Sequence, residues 1–156
     1  MIEYLKPTQF DINHLADNMC AADTAEVWAS HRHTPRQAIE AGVNSSDYMT
    51  AVRMDGVPIG IYGLGVRDIL IGEGTLWMLT TDGMRKAWRD LVTVTPLVIE
   101  GMFSVCTRLS NHVHADNKMS IRWLRSLGFI IEPPEPIGVG GEMFHEFYMT
   151  KASRDV

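Results

Sequence analysis

Cysteine is nearly absent. Cys20 and Cys106 are the two in a chain of 156 residues, too few to staple a domain of this size. Residues 1–10 contain no apolar export leader, so the pair reads as two reduced thiols. Long apolar runs are missing as well. The longest, residues 57–66, is broken by Pro58 and three glycines and falls far short of the ~20 residues that span a bilayer. Cationic charge is scarce: 14 Lys and Arg against 19 Asp and Glu leave a net charge of −5. Bulk gripping of nucleic acid or of an anionic membrane is thereby excluded. Low-complexity tracts, repeats and linkers are also lacking, which predicts one domain over 1–156. The His31-x-His33 pair with His14 has no Cys or carboxylate at ligand spacing, so no metal centre is expected.

What is present is ordinary globular material. Hydrophobic residues make up 46% and charged residues 21%, enough apolar side chain for a core without cross-links. Residues 2–5 predict a first strand. A helix follows with Asp11 or Asn13 as cap and Leu15, Met19 and Cys20 at helical spacing. Asp23-Thr-Ala-Glu26 fits a capping box opening a second short helix. Thr34-Pro35 predicts a third, stopped by Gly42. From Asp47 the period becomes two, and Asp55-Gly56 signals a hairpin. The return strand carries Gly60, Gly63 and Gly65, which mark a bulge or a close approach of ligand or backbone.

After a loop over 67–74, residues 75–80 predict a buried strand and residues 82–92 a helix. Thr95-Pro96 predicts a break before a further helix to about Cys106. Residues 111–115 read as a strand, 117–127 as a helix closed by Gly128, and 143–149 as a final strand after a Pro/Gly-rich loop at 133–141. The order predicts an α/β domain with a mixed, mainly antiparallel sheet flanked by helices.

That order, and the segment Asn117-x-x-Ser120 followed by Leu127-Gly128-Phe129, resembles the GNAT fold of acyl-CoA-dependent N-acetyltransferases. The run His114-Ala-Asp-Asn117, then Ile121-Arg-Trp-Leu-Arg-Ser-Leu-Gly-Phe129, then Phe144-His-Glu-Phe147 resembles a narrower family. These are the acetyltransferase-like internal virion proteins of short-tailed bacteriophages and prophages. The resemblance implies a place in the host cytoplasm or the virion, with phage structural proteins or assembly intermediates as partners. It implies acetyl-CoA as cofactor if the chain is an active enzyme acting on a host or phage amine.

Under that condition, Thr80, Thr81, Gly83, Met84, Arg85 and Asn117 are the residues expected to hold the cofactor. The loop departs from the family pattern of Gln/Arg-x-x-Gly-x-Gly/Ala, however. It has one glycine, and Asp82 stands at the helix start as an N-cap, where an anion would otherwise sit. Leu124 occupies the offset of the family's acidic Tyr, and leucine donates no proton. Tyr62 and Tyr148 are other possible donors. Glu73, His112 and His114 are the candidate bases, the two histidines facing one side of a strand, where a structural role is the ordinary one. Arg122 and Arg125, with Lys118, form a basic helix face that reads as solvated or as a docking surface for an acidic partner. The expected function is that of a GNAT-fold protein with a degenerate acyl-CoA site, acting in virion assembly.

Overall fold

The Asp55-Gly56 pair turns the chain with φ of +51° and +81°, the left-handed geometry of a two-residue hairpin. It joins β2 (Tyr48–Met54) to β3 (Val57–Asp68). The computed structural model describes residues 1–154. The other elements are β1 (Ile2–Leu5), α1 (Gln9–Asn18), α2 (Ala21–His31), α3 (Pro35–Ser45), β4 (Glu73–Thr80) and α4 (Trp88–Met102). They are followed by β5 (Arg108–His114), α5 (Lys118–Leu127), β6 (Ile130–Ile131), β7 (Phe144–Thr150) and α6 (Lys151–Arg154). The strands form one sheet in the order β1-β2-β3-β4-β5-β7-β6. Every neighbouring pair is antiparallel except β4 and β5.

Helices cover both faces. Leu15 of α1 and Ile39 of α3 pack on Ala51, Ile61 and Leu79 on one side. On the other, Met84 and Leu91 meet Val52 and Ile59. Further along that side, Ile99 of α4 and Ile121 and Leu124 of α5 join Leu109, Val113, Phe129 and Phe147. At about 25 cal/mol per Å² of apolar surface, such burial is the main stabilising term.

Several sequence expectations are corrected by tertiary contacts. Helix α1 is capped at Thr8, with Asp11 three residues on; Asp11 itself is fully buried against Arg53. Gly42 does not end α3, which runs to Ser45. The Trp77 ring lies where a Gly42 Cβ would come within 2.8 Å of Cζ2, so the glycine makes room for an indole. The same ring fills the space beside Gly63, and the Ser45 carbonyl fills that beside Gly65. The close approaches predicted for β3 are thus made by the protein itself.

Pro96 does not break the chain either. It lies inside α4 on the exposed side, as does Val92, whose carbonyl it leaves free. Leu91 and Ile99 hold both halves of the helix in the core, which outweighs the lost hydrogen bond. Helix α4 ends at Met102, short of Cys106. Residues 82–87 form a 3-10 turn before it.

Candidate functional site

Strands β4 and β5 are paired only at one end. Their parallel register runs from Glu73–Arg108 to Thr75–Ser110 and then stops. Asn111 forces the separation. Its Nδ2 donates to the Leu76 carbonyl at 2.6 Å, and its Oδ1 accepts the His112 amide at 2.8 Å. The side chain thus takes the place of the next rung and wedges the strands apart.

Beyond that wedge the sheet is a fork whose inner edges carry unpaired backbone groups, each needing a partner. Helix α2 supplies them. Asp23 Oδ2 accepts the Thr80 amide at 2.8 Å and the Thr80 hydroxyl at 2.9 Å. The Cys20 amide donates to the Thr80 carbonyl at 2.9 Å. One helical turn further on, Glu26 Oε1 accepts the His114 amide of β5 at 2.5 Å. Spacing i, i+3 places both carboxylates on one helix face, so α2 bridges the tip of β4 to the tip of β5.

Burial raises both acids. It pushes the Asp23 carboxyl above its ordinary value against the hydrogen bonds from Thr80. Glu26 is pushed up to about 7, by burial first and further by the Asp23 charge, against the hydrogen bond from His114. The Cys20 thiol is raised by burial and by the neighbouring Asp23. Beside them the Asn117 side chain caps α5 through Oδ1, which accepts the Ser120 amide at 3.3 Å. Its buried Nδ2 faces Glu26 and favours that carboxyl's charged form, without reaching good hydrogen-bond geometry.

Among the residues singled out in the sequence, the fork gathers Thr80, His114 and Asn117. His114 Nδ1 accepts the Asp116 amide, and its ring packs edge-on against Phe144 at 5.0 Å. His112 is exposed on β5. Glu73 stands at the closed end of β4, across from Arg108, away from the fork. Leu124 is buried in the core. Tyr148 lies under the Arg108 guanidinium at 4.7 Å, also at the closed end. Asp23 and Glu26 were legible only as a capping box. The observed N-cap is Cys20, and the two acids reach across to the sheet instead.

The loop after β4 does not fit a diphosphate. Thr81, not Asp82, is the N-cap, its Oγ1 accepting the Gly83 amide at 3.1 Å. The Met84 amide donates to the Thr81 carbonyl at 3.2 Å. Two amides that would have to converge on phosphate are therefore already used. A Cβ on Gly83 would lie 2.8 Å from Ile59 Cγ2; the glycine serves close packing, not an open cradle. The Gly83 and Met84 amides are therefore not free to hold a phosphate of coenzyme A.

No family model matches the sequence, and no curated protein matches it. Solved structures do match in fold. Spermidine N-acetyltransferase from Vibrio cholerae, in complex with CoA and spermine, superposes with a TM-score of 0.73 at 11% identity, covering 99% of this chain and 98% of its own. The aminoglycoside acetyltransferase AAC(6')-Ib, in complex with ribostamycin and coenzyme A, gives 0.70 at 13% identity over 99% and 96%. Ard1 from Thermoplasma volcanium gives 0.70 at 12% identity over 96% and 97%. The chain has the GNAT fold of N-acetyltransferases. No described helix is long and apolar enough to cross a membrane.

Proposed function

We propose that this chain has kept the acetyltransferase shape, given up the donor site, and works as a protein-binding component in the assembly of a short-tailed bacteriophage particle. One observation carries the loss of the donor site: the inner edges of the fork end on the chain's own Asp23, Cys20, Glu26 and Asn111. A ligand entering there would have to displace these hydrogen bonds, which contribute about 0.5–1.5 kcal/mol each between neutral groups and about 1.5–3 kcal/mol where the acceptor is an ionised carboxylate. The used amides at Gly83 and Met84 point the same way. Fold alone licenses no activity. The phage setting, the host cytoplasm or virion as its place, and structural proteins as partners rest on the resemblance of residues 114–129 and 144–147.

Thermal unfolding with acetyl-CoA tests the first half. A site at a hundredfold excess over its dissociation constant would add about 2.7 kcal/mol; the expected result is no shift at millimolar ligand. Deletion from a phage genome tests the second. Defective particles are expected, and full infectivity would end the assembly reading.

A second reading is favoured by Glu26 alone. A carboxyl at about 7 suits a general base that takes a proton from an ammonium, as an N-acetyltransferase using acetyl-CoA would require. Under that reading Glu26→Gln abolishes turnover with polyamine or aminoglycoside acceptors; under the first there is no turnover to lose.

A further inference from the structure

The Trp88 and Trp123 rings meet at 5.8 Å with their planes inclined at 56°, joining the start of α4 to the second turn of α5. Trp88, Val92 and Met119 are 47%, 51% and 67% exposed. Val92 lies one turn after Trp88, and Met119 one turn before Trp123, so the four side chains form a continuous apolar strip across two helices. Cations border it. Arg85, Lys86 and Arg89 are exposed on the α4 side, and Lys118 and Arg122 on the α5 side. Among the described residues none of these five makes an ion pair. Three exposed acids lie in the same segments: Asp90, whose charge reaches Met1 and Tyr4, and Asp82 and Asp116, which precede the cations on each helix. In a chain of net charge −5, five cations without ion pairs surround one exposed tryptophan, Trp88, and one half-buried, Trp123.

We infer that this strip docks an acidic, amphipathic segment of a protein partner, with apolar side chains seated on Trp88 and Trp123 and carboxylates against Arg85, Arg89 and Arg122. The inference rests on the reading of the chain as a docking protein. Trp, Met and Arg are the residues enriched at interface centres, and buried tryptophan anchors carry most of the energy there. Charge complementarity selects the sign of the partner. A single-stranded nucleic acid fits less well. The two rings touch each other and leave no slot for a base, and Val92 and Met119 offer nothing to stack on.

The test uses the full chain and a fluorescent helical peptide of about 18 residues, glutamate with leucine at positions i, i+3, i+4 and i+7. Its controls are the lysine counterpart, the same glutamate peptide with its leucines scrambled, and a thymidine oligonucleotide. The glutamate–leucine peptide is expected to bind at least about tenfold more tightly than each control, and more weakly at physiological than at low salt. Arg89→Glu with Arg122→Glu should weaken it about tenfold or more without moving the melting temperature. Should that pair fail to fold, Arg89→Gln with Arg122→Gln replaces it. Tighter binding of the oligonucleotide overturns the inference in favour of nucleic acid. Absence of peptide binding at roughly 100 µM overturns it outright, and leaves the assembly reading to stand or fall on the deletion experiment.

Discussion

The carboxylate of Asp23 holds both the amide and the hydroxyl of Thr80, 57 positions along the chain, at 2.8 and 2.9 Å. This contact closes the β4 side of the fork. Truncating the acid leaves the Thr80 amide with no acceptor, at a cost of about 1–3 kcal/mol. Asp23→Ala should destabilise by that amount in urea unfolding, and Asp23→Asn, which keeps a neutral acceptor, should recover most of it. An alanine variant as stable as the parent would show that α2 does not tie down the strand.

Glu26 gives the fork a pH dependence of definite sign. Its folded pKa of about 7 lies above the ordinary 4.5, so the folded chain holds this proton more tightly than the unfolded one. The penalty of burying the charge is absent below pH 4.5, grows as pH rises, and is complete above 7, at a magnitude of order 3 kcal/mol. Asp23, also raised, adds a loss of the same sign from its own ordinary value upward. Glu26→Gln stays neutral throughout. It should match the parent near pH 4.5 and exceed it above pH 7; parallel stability curves across that range would refute the assignment.

Asp11 behaves oppositely. It is fully buried, with Arg53 Nε at 2.8 Å from Oδ1, Arg53 Nη2 at 2.9 Å from Oδ2 and the Thr8 amide at 2.8 Å. Burial works against its ionisation, yet the hydrogen bonds from Arg53 and Thr8 hold its pKa below 3.8. Its contribution is present above that value and is lost as the solution is acidified. Arg53→Met strands a buried carboxylate and should cost about 3–5 kcal/mol at neutral pH. A loss below 1 kcal/mol, on the scale of an exposed ion pair, would sink the claim.

Gly83 separates packing from ligand binding. Alanine there meets Ile59 Cγ2 at 2.8 Å, an overpacking expected to cost about 1–3 kcal/mol. Trimming the partner should relieve it: Gly83→Ala with Ile59→Ala is expected to be more stable than the sum of the two single changes. Strict additivity in melting experiments would mean that the glycine is required for another reason.

Much of the scaffold was readable along the chain. Thr34-Pro35 opens α3 with Gln37 returning the cap, Asn117 and Gly128 bound α5, and Asp55-Gly56 makes its hairpin. The fork was not. Asp23 and Glu26 stand three apart at a helix start, a spacing that suits a capping box and equally suits two acids sharing one helix face. Pro96 likewise carries the signature of a helix start, and only the buried Leu91 and Ile99 on either side keep α4 continuous.

The amino-acid order by itself determined the local elements and the α/β class, because caps, turns and hydrophobic periods depend on neighbours within about four residues. Tertiary structure alone decided what the fork does with its open edges. Thr80 finds Asp23 across 57 positions and His114 finds Glu26 across 88. Backbone amides at the end of a pairing donate to whichever oxygen the folded path brings to them, and no short-range pattern records which one that is.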